Sequence, residues 1–426
     1  MKFLISKAEV IDLSSPFHGK TCDIWLNGGQ IEKIEVSGKS KAISIKSYKL
    51  IDGTGCFVMP GLCDMRADFC DPGYEQKETL ESGSMAALRG GFTDVALLPA
   101  TQPPRDSKIG INYVRNQSEN LPVYLHAYGC ISKDRNGEDM AELYDMFQAG
   151  AIGFTDGNRA IQHSGLLLRT LLYNKIFGGL TLVFPEDKFI SEGTMVHEGE
   201  ISTMLGLKGA PSLSEELMVQ RDIELVKYTG GKIHFSAISS KGSVELIRKA
   251  KKLGLQITAD VAFANLCYSD ENLRDYDANY KLKPYLRSKG DQKALWDGIQ
   301  DGTIDAIVSN HQPQDKESKQ VEFAYALPGM ITLQTLLPVL LKNKPKHVEL
   351  PKLIAALTSQ PRNILNLVQA EIKENVLANL LIYNPKQSWT FDWNYSKSEN
   401  TPLLKNKITG AITHVVCKNK LHSPNY

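Results

Sequence analysis

Long apolar runs are missing from this 426-residue chain. None approaches the roughly 20 residues that a membrane-spanning helix requires. Net charge is nearly missing too: 49 Lys and Arg stand against 48 Asp and Glu, a formal +1. So balanced a chain lacks the basic surface that draws nucleic acid or an acidic membrane, and neither is expected as a partner. Paired cysteines are absent as well. The seven present are an odd number without paired spacings, which fits a reducing compartment and a cytoplasmic protein. The opening MKFLISKAEVIDL carries charges inside its apolar stretch and no small-residue cleavage site, so no secretory signal is expected. P-loop, G-x-S-x-G and dinucleotide fingerprints are lacking.

What is present is a large core. Hydrophobic residues make up 42% of the chain, enough for one domain of about 250–300 residues and a smaller one. Apolar, β-branched-rich segments recur through the middle, at residues 56–65, 93–100, 122–130, 151–156, 180–187, 232–239, 255–263 and 304–311. Helix-period segments that often end in Gly lie between most of them, at 78–91, 139–150, 214–231 and 243–254. Near-continuous apolar strands alternating with helices indicate a parallel sheet covered on both faces. Eight such units predict an α/β fold, a (β/α)8 TIM-type barrel. The two ends instead alternate apolar and polar residues with turn signals such as NGGQ (27–30) and DGTG (52–55). Residues 1–56 and 374–426 are expected to form one small β-sandwich domain beside a barrel of 57–373. The Leu and Met stripe of MITLQTLLPVLL (330–341) is expected in the core.

Barrel enzymes keep their chemistry at the carboxyl ends of the strands. Those ends offer Arg66, Asp68 and Cys70, then Ala100, Tyr128, Asp156, Phe184, Glu186 and Asp187. Ala237, Ser239, Phe263, Asn265, Asn310 and His311 follow. A hydrolytic metal site needs three or more His or carboxylate ligands and an open position for water. Carboxylates are available, but His311 is the one histidine at a strand end. His197, in VHEGE, lacks the second His of a zincin helix.

The segments MPGLCDM (59–65), DPGYEQKET (71–79), GGFTDVALLP (90–99) and GFTDG (153–157) form a familiar set. RDIELVKYTGGKIH (221–234), KGSVELIRKAKKLGLQITADV (241–261), LRSKGDQKALWDGIQDGTIDAI (286–307) and SKSENTP (396–402) extend it. With these the chain resembles dihydroorotase of the class I type, in the amidohydrolase superfamily, over nearly its whole length. The resemblance implies a zinc-dependent hydrolase of pyrimidine synthesis that interconverts carbamoyl aspartate and dihydroorotate. It also implies a homo-oligomer or larger assembly and association with aspartate carbamoyltransferase.

The departures fall on the functional positions. The family's ligand positions are Arg66 and Asp68 (its His-x-His), Asp156, Phe184 and Ala237, and its general-base position is Asn310. Its substrate-binding positions are Cys70, Ala100 and Lys283, next to Asn310 and His311. Asp156 alone keeps a ligand-type side chain known in part of the family. Phe and Ala have no lone pair for a metal, Arg is cationic at neutral pH, and Asn cannot take up a proton as a base. No metal is therefore expected, and the chain reads as a degenerate, non-catalytic homologue serving as a structural or regulatory partner of the carbamoyltransferase. Two alternatives stand beside this reading. One is a cyclic-amide hydrolase acting through a rebuilt site. The other is a small-anion-binding protein using the vestigial pocket of Arg66, Asp68, Asp156, Lys283 and Asn310; a pocket plugged by Phe184, Phe263 and Tyr285 would favour a scaffold.

A buried carboxylate left without its metal needs a new partner. Arg66 or Lys283 is therefore expected to pair with Asp156 or Asp68. Glu186 and Asp187 are expected to support a loop, and His234 and His311 to be satisfied inside the fold. Cys70 invites a nucleophile reading, but no histidine base is evident beside it.

Overall fold

The computed structural model describes residues 2–38 and 47–423. The rest of the expected terminal ranges, Met1, 39–46 and 424–426, lies outside the described residues. The first strands are β1 (Lys2–Val10), β2 (Thr21–Asn27), β3 (Gln30–Val36), β4 (Lys49–Asp52) and β5 (Phe57–Pro60). Next come β6 (Leu62–Ala67), β7 (Phe92–Leu97), β8 (Tyr124–Ala127) and β9 (Thr181–Val183). After a short pair, β10 (Val196–His197) and β11 (Gly209–Ala210), follow β12 (Ile233–Phe235), β13 (Ile257–Ala262) and β14 (Ala306–Val308). The chain closes with β15 (Leu380–Thr390), β16 (Lys407–Cys417) and β17 (Lys420–His422).

Two parallel runs make the barrel, β6-β7-β8 and β9-β12-β13-β14. Segment 151–156, expected as the fourth strand, joins them through single bridges, Gly129 to Phe154 and Phe154 to Thr181. Its amides still serve both neighbours: Ile152 N donates to Ala127 O at 3.1 Å and Phe154 N to Leu180 O at 2.9 Å. A bridge from Ala67 to His311 closes the ring. Small and apolar side chains fill the interior, among them Met65, Ala96, Leu182, Ala262, Ala306 and Val308.

Helices cover the outside where the sequence pattern puts them. Leu80–Arg89 starts at a Thr79 capping box, Lys241–Lys252 starts at Ser240, and Leu213–Thr229 stops at Gly230, whose φ of 62° suits glycine. The 139–150 pattern yields only Leu143–Gln148. Leu336–Asn343 carries the 330–341 stripe into the main core. No helix among the described residues is long and apolar enough to cross a membrane.

Both termini share one sheet, in the order β17-β16-β15-β5-β1-β2-β3, with β4 against β1. Phe3, Ile5, Cys22, Ile24, Val58, Leu380, Ile382 and Val416 give it a core of its own. Phe57–Pro60, which the sequence reading set at the start of the barrel, pairs with β1 and β15 and belongs to this sheet. The run 56–65 divides at Gly61, where a Cβ would sit 2.3 Å from Thr93 Oγ1 and 2.6 Å from Asn379 Oδ1. The missing side chain lets the chain pass from sheet to barrel.

Candidate functional site

Arg66, the penultimate residue of β6, has its side chain inside the barrel mouth, fully buried. Nε donates to Asn310 Oδ1 at 2.9 Å, Nη1 to Ser236 Oγ at 3.0 Å, and Nη2 to Asn158 Oδ1. The guanidinium lies 5.2 Å from the centre of the Phe184 ring, a cation–π contact. One side chain thus ties together the ends of the first, fourth, fifth, sixth and eighth strand segments. Burial pulls its pKa down, against the charge of Asp260, yet a guanidinium stays protonated at neutral pH.

The expected ion pairs are not the ones formed. Arg66 meets neutral amides and a hydroxyl, and Lys283 pairs with Glu186 at 2.8 Å. Asp156 is satisfied by the chain itself: Oδ1 accepts from the amides of Ile131 (2.8 Å) and Ser132 (3.1 Å), and Oδ2 from the Ser132 hydroxyl. Burial pushes its pKa up, and these donors oppose the shift. Asp68 accepts from Cys70 N at 2.9 Å, and burial raises it too. Two amide donors and a hydroxyl replace the counter-cation that Asp156 seemed to require.

The other candidates sort by contact. Asn310 bridges Arg66, Gln312 Nε2 (2.7 Å) and the Lys283 carbonyl (3.0 Å). His311 is buried, with Nε2 at 3.4 Å from Glu78 and Nδ1 taking Thr332 N at 3.1 Å. His234 is held between Thr258 and Asp260, both at 2.8 Å. Both histidines are therefore satisfied inside the fold. Asp187 supports its loop by accepting from Phe189 N and Ile190 N; Glu186, expected to do the same, serves Lys283 instead. The Cys70 thiol is buried and pushed up by that burial and by Asp68, the reverse of an activated nucleophile. Ala100 follows β7 half-buried, and Phe184, Phe263 and Tyr285 are all buried.

Cys70, Ala237 and Asn310 have φ of 61°, 56° and 46°, a left-handed backbone that residues other than glycine rarely adopt. Ala237 is held there by its backbone N–H, which donates to Asp260 Oδ1 at 2.5 Å. Such conformations persist where the surroundings over-determine them, so the mouth has a rigid backbone frame under unusual side chains. Among the described residues, no three His, Cys, Asp or Glu side chains converge as metal ligands would.

Sequence reasoning missed Asn158 and Ser236, the remaining acceptors for Arg66. Each is near an expected position: Asn158 is two residues past Asp156, and Ser236 precedes Ala237.

The barrel and its flanking sheet share their fold with solved hydantoinases. L-hydantoinase (dihydropyrimidinase) from Arthrobacter aurescens superposes with a TM-score of 0.84 at 21% identity, covering 99% of this chain and 96% of that one. Sequence narrows the class: the chain belongs to the dihydroorotase family. It is 37% identical over 393 residues to the dihydroorotase of Carboxydothermus hydrogenoformans, covering 91% of this chain and 90% of that one. It is 36% identical over 426 residues to that of Geotalea daltonii, covering 99% of each chain. A family profile described as dihydro-orotase-like matches residues 55–243.

Proposed function

We propose that this member of the dihydroorotase family is a non-catalytic structural or regulatory component of pyrimidine synthesis, associating with aspartate carbamoyltransferase. The observation that carries the reading is the placement of Arg66. Its buried cation sits among the strand ends where the family resemblance puts a zinc centre. Zinc chemistry needs neutral imidazoles or carboxylates around an open coordination position. The positions in question supply a guanidinium, a phenyl ring, a methyl group and an amide, so this donor set does not fit the metal. Asp156 and Asp68 remain, but Asp156 has both oxygens engaged by Ile131 and Ser132. Asn310, at the general-base position, already accepts from Arg66 and Gln312. A docking role requires the outer scaffold and not the mouth, and full-length likeness to the family supports a retained scaffold.

The test is reconstitution with aspartate carbamoyltransferase, followed by sedimentation velocity over a concentration series. A complex formed at concentrations on the order of micromolar supports the reading. No association at tens of micromolar removes the partnership. Turnover of dihydroorotate that is abolished by Asp156→Ala would overturn the non-catalytic assignment and favour a rebuilt hydrolase site.

A further inference from the structure

Beside the Arg66 network, sharing Asp156 and Asn158 with it, the loops after β8, after segment 151–156 and after β9 enclose an open cleft of about 580 Å³. Three cationic side chains line it, Arg135, Arg159 and Lys188. Among the described residues none of them forms an ion pair within 4.0 Å. Arg135 is fixed in place: Nε and Nη2 both donate to the Asp156 carbonyl oxygen, at 3.1 and 2.9 Å. It sits on a turn in which Asp134 and Arg135 both have left-handed backbone, φ 53° and 55°. Arg159 leans on the same turn, with Nη1 donating to the Arg135 carbonyl at 3.2 Å. Two guanidinium groups are thus anchored side by side through backbone carbonyls, with no carboxylate bridging them. Burial and then the neighbouring Arg159 charge lower the Arg135 pKa, opposed by Cys130, Asp156 and Asp68.

The carboxylates of the cleft are mostly engaged elsewhere. Asp156 is held by Ile131 and Ser132, and Glu186 by Lys283. Glu138 is exposed at the rim. The 14-residue helix Ser164–Phe177 also begins at this wall, through its cap His163, with no acidic residue in the first turn. The positive end of its dipole is therefore not offset by an acidic side chain of that turn. Like charges held together beside a helix N-terminus are costly unless an anion joins them.

We propose that this cleft is an anion site for a small metabolite carrying two or more negative charges, as carboxylates or as phosphates. It adjoins the vestigial site, sharing Asp156, Asn158 and the Lys283 partner Glu186 with it, but its cations Arg135, Arg159 and Lys188 are not among the substrate positions that the resemblance implies; it stands whether or not the carbamoyltransferase partnership holds.

Calorimetric titration of the full chain with citrate and, separately, with pyrophosphate tests it. Arg159 and Lys188 are both exposed, so the Arg159→Ala, Lys188→Ala double variant leaves the folded core intact. Binding of at least one probe is expected, weakened at least about tenfold in the double variant. Lys346→Ala, a remote exposed lysine, should leave it unchanged, and Glu138→Gln should tighten it. Citrate alone, pyrophosphate alone or both would mark the site as carboxylate-selective, phosphate-selective or charge-selective, each supporting the proposal. No heat from either probe, or binding as tight in the double variant as in the parent, would overturn it.

Discussion

Arg66 at the mouth of the barrel and Arg362 at its floor are both fully buried, and they are satisfied in different ways. Arg362 is built around a counterion. Nη2 meets Asp94 Oδ2 at 2.5 Å and Thr93 Oγ1 at 2.9 Å, and Nη1 donates to the Gly61 and Thr358 carbonyls at 2.8 and 3.0 Å. His126 stands 3.0 Å from the other Asp94 oxygen. Burial alone would push Asp94 up, but Arg362 and His126 hold it well below the ordinary carboxylate range. Burial would likewise lower Arg362, and Asp94 holds it up. At the mouth, Arg66 contacts only amide and hydroxyl oxygens and an aromatic face, and burial wins. The floor is a paired structural joint; the mouth is a cation placed on a frame that did not supply it with a carboxylate.

The same substitution at both ends should separate these two situations most sharply. Arg362→Met leaves Asp94 buried with His126 and the Thr93 hydroxyl but no guanidinium beside it, and should cost about 3–5 kcal/mol in urea denaturation at neutral pH. Its penalty is also pH-dependent. Because the folded pKa of Asp94 is depressed, its contribution is complete above the unfolded value of about 4 and is lost as pH falls toward the lower folded value. The gap between parent and Arg362→Met should therefore narrow on acidification below about pH 4. Equal gaps at neutral and acid pH would show that the pair is not what stabilises the floor.

Arg66→Met should cost less, about 1 kcal/mol. It strands no contacting carboxylate, and Asn310 Oδ1 keeps its bond from Gln312 Nε2 at 2.7 Å. A loss at the mouth as large as that at the floor would break the comparison. Lys283→Met removes a partly buried pair with Glu186 and should change stability by about 1 kcal/mol or less. A larger effect would make that pair a structural joint of the same kind as the floor.

Much of this architecture could be read from residue pattern. Seven of the eight barrel segments form ladder strands, because a run of apolar, β-branched residues buried on both faces has few other uses. Segment 151–156 bonds both neighbours but forms only single bridges, and at its end Asp156 accepts from the amides of Ile131 and Ser132. Gly61 was silent as a boundary, because what forbids a side chain there is Thr93 and Asn379, both distant in sequence. At the mouth, position and residue type were legible but contacts were not. Charge complementarity predicted Arg66 or Lys283 on Asp156 or Asp68. The length of the Arg66 side chain carries its charge past them to Asn158, Ser236 and Asn310, and backbone amides satisfy Asp156 without it. The anion cleft left no signal, since it depends on left-handed backbone at Asp134 and Arg135 that no local composition announces.

The central claim is that the mouth no longer binds the family's metal, and zinc content per chain tests it most directly. The full chain should be purified without chelator, dialysed against zinc-containing and then zinc-free buffer, and its metal measured by mass spectrometry. The account predicts less than about 0.1 equivalents retained. One or two tightly held equivalents, lost on Asp156→Ala, would contradict it and return the chain to the zinc hydrolases.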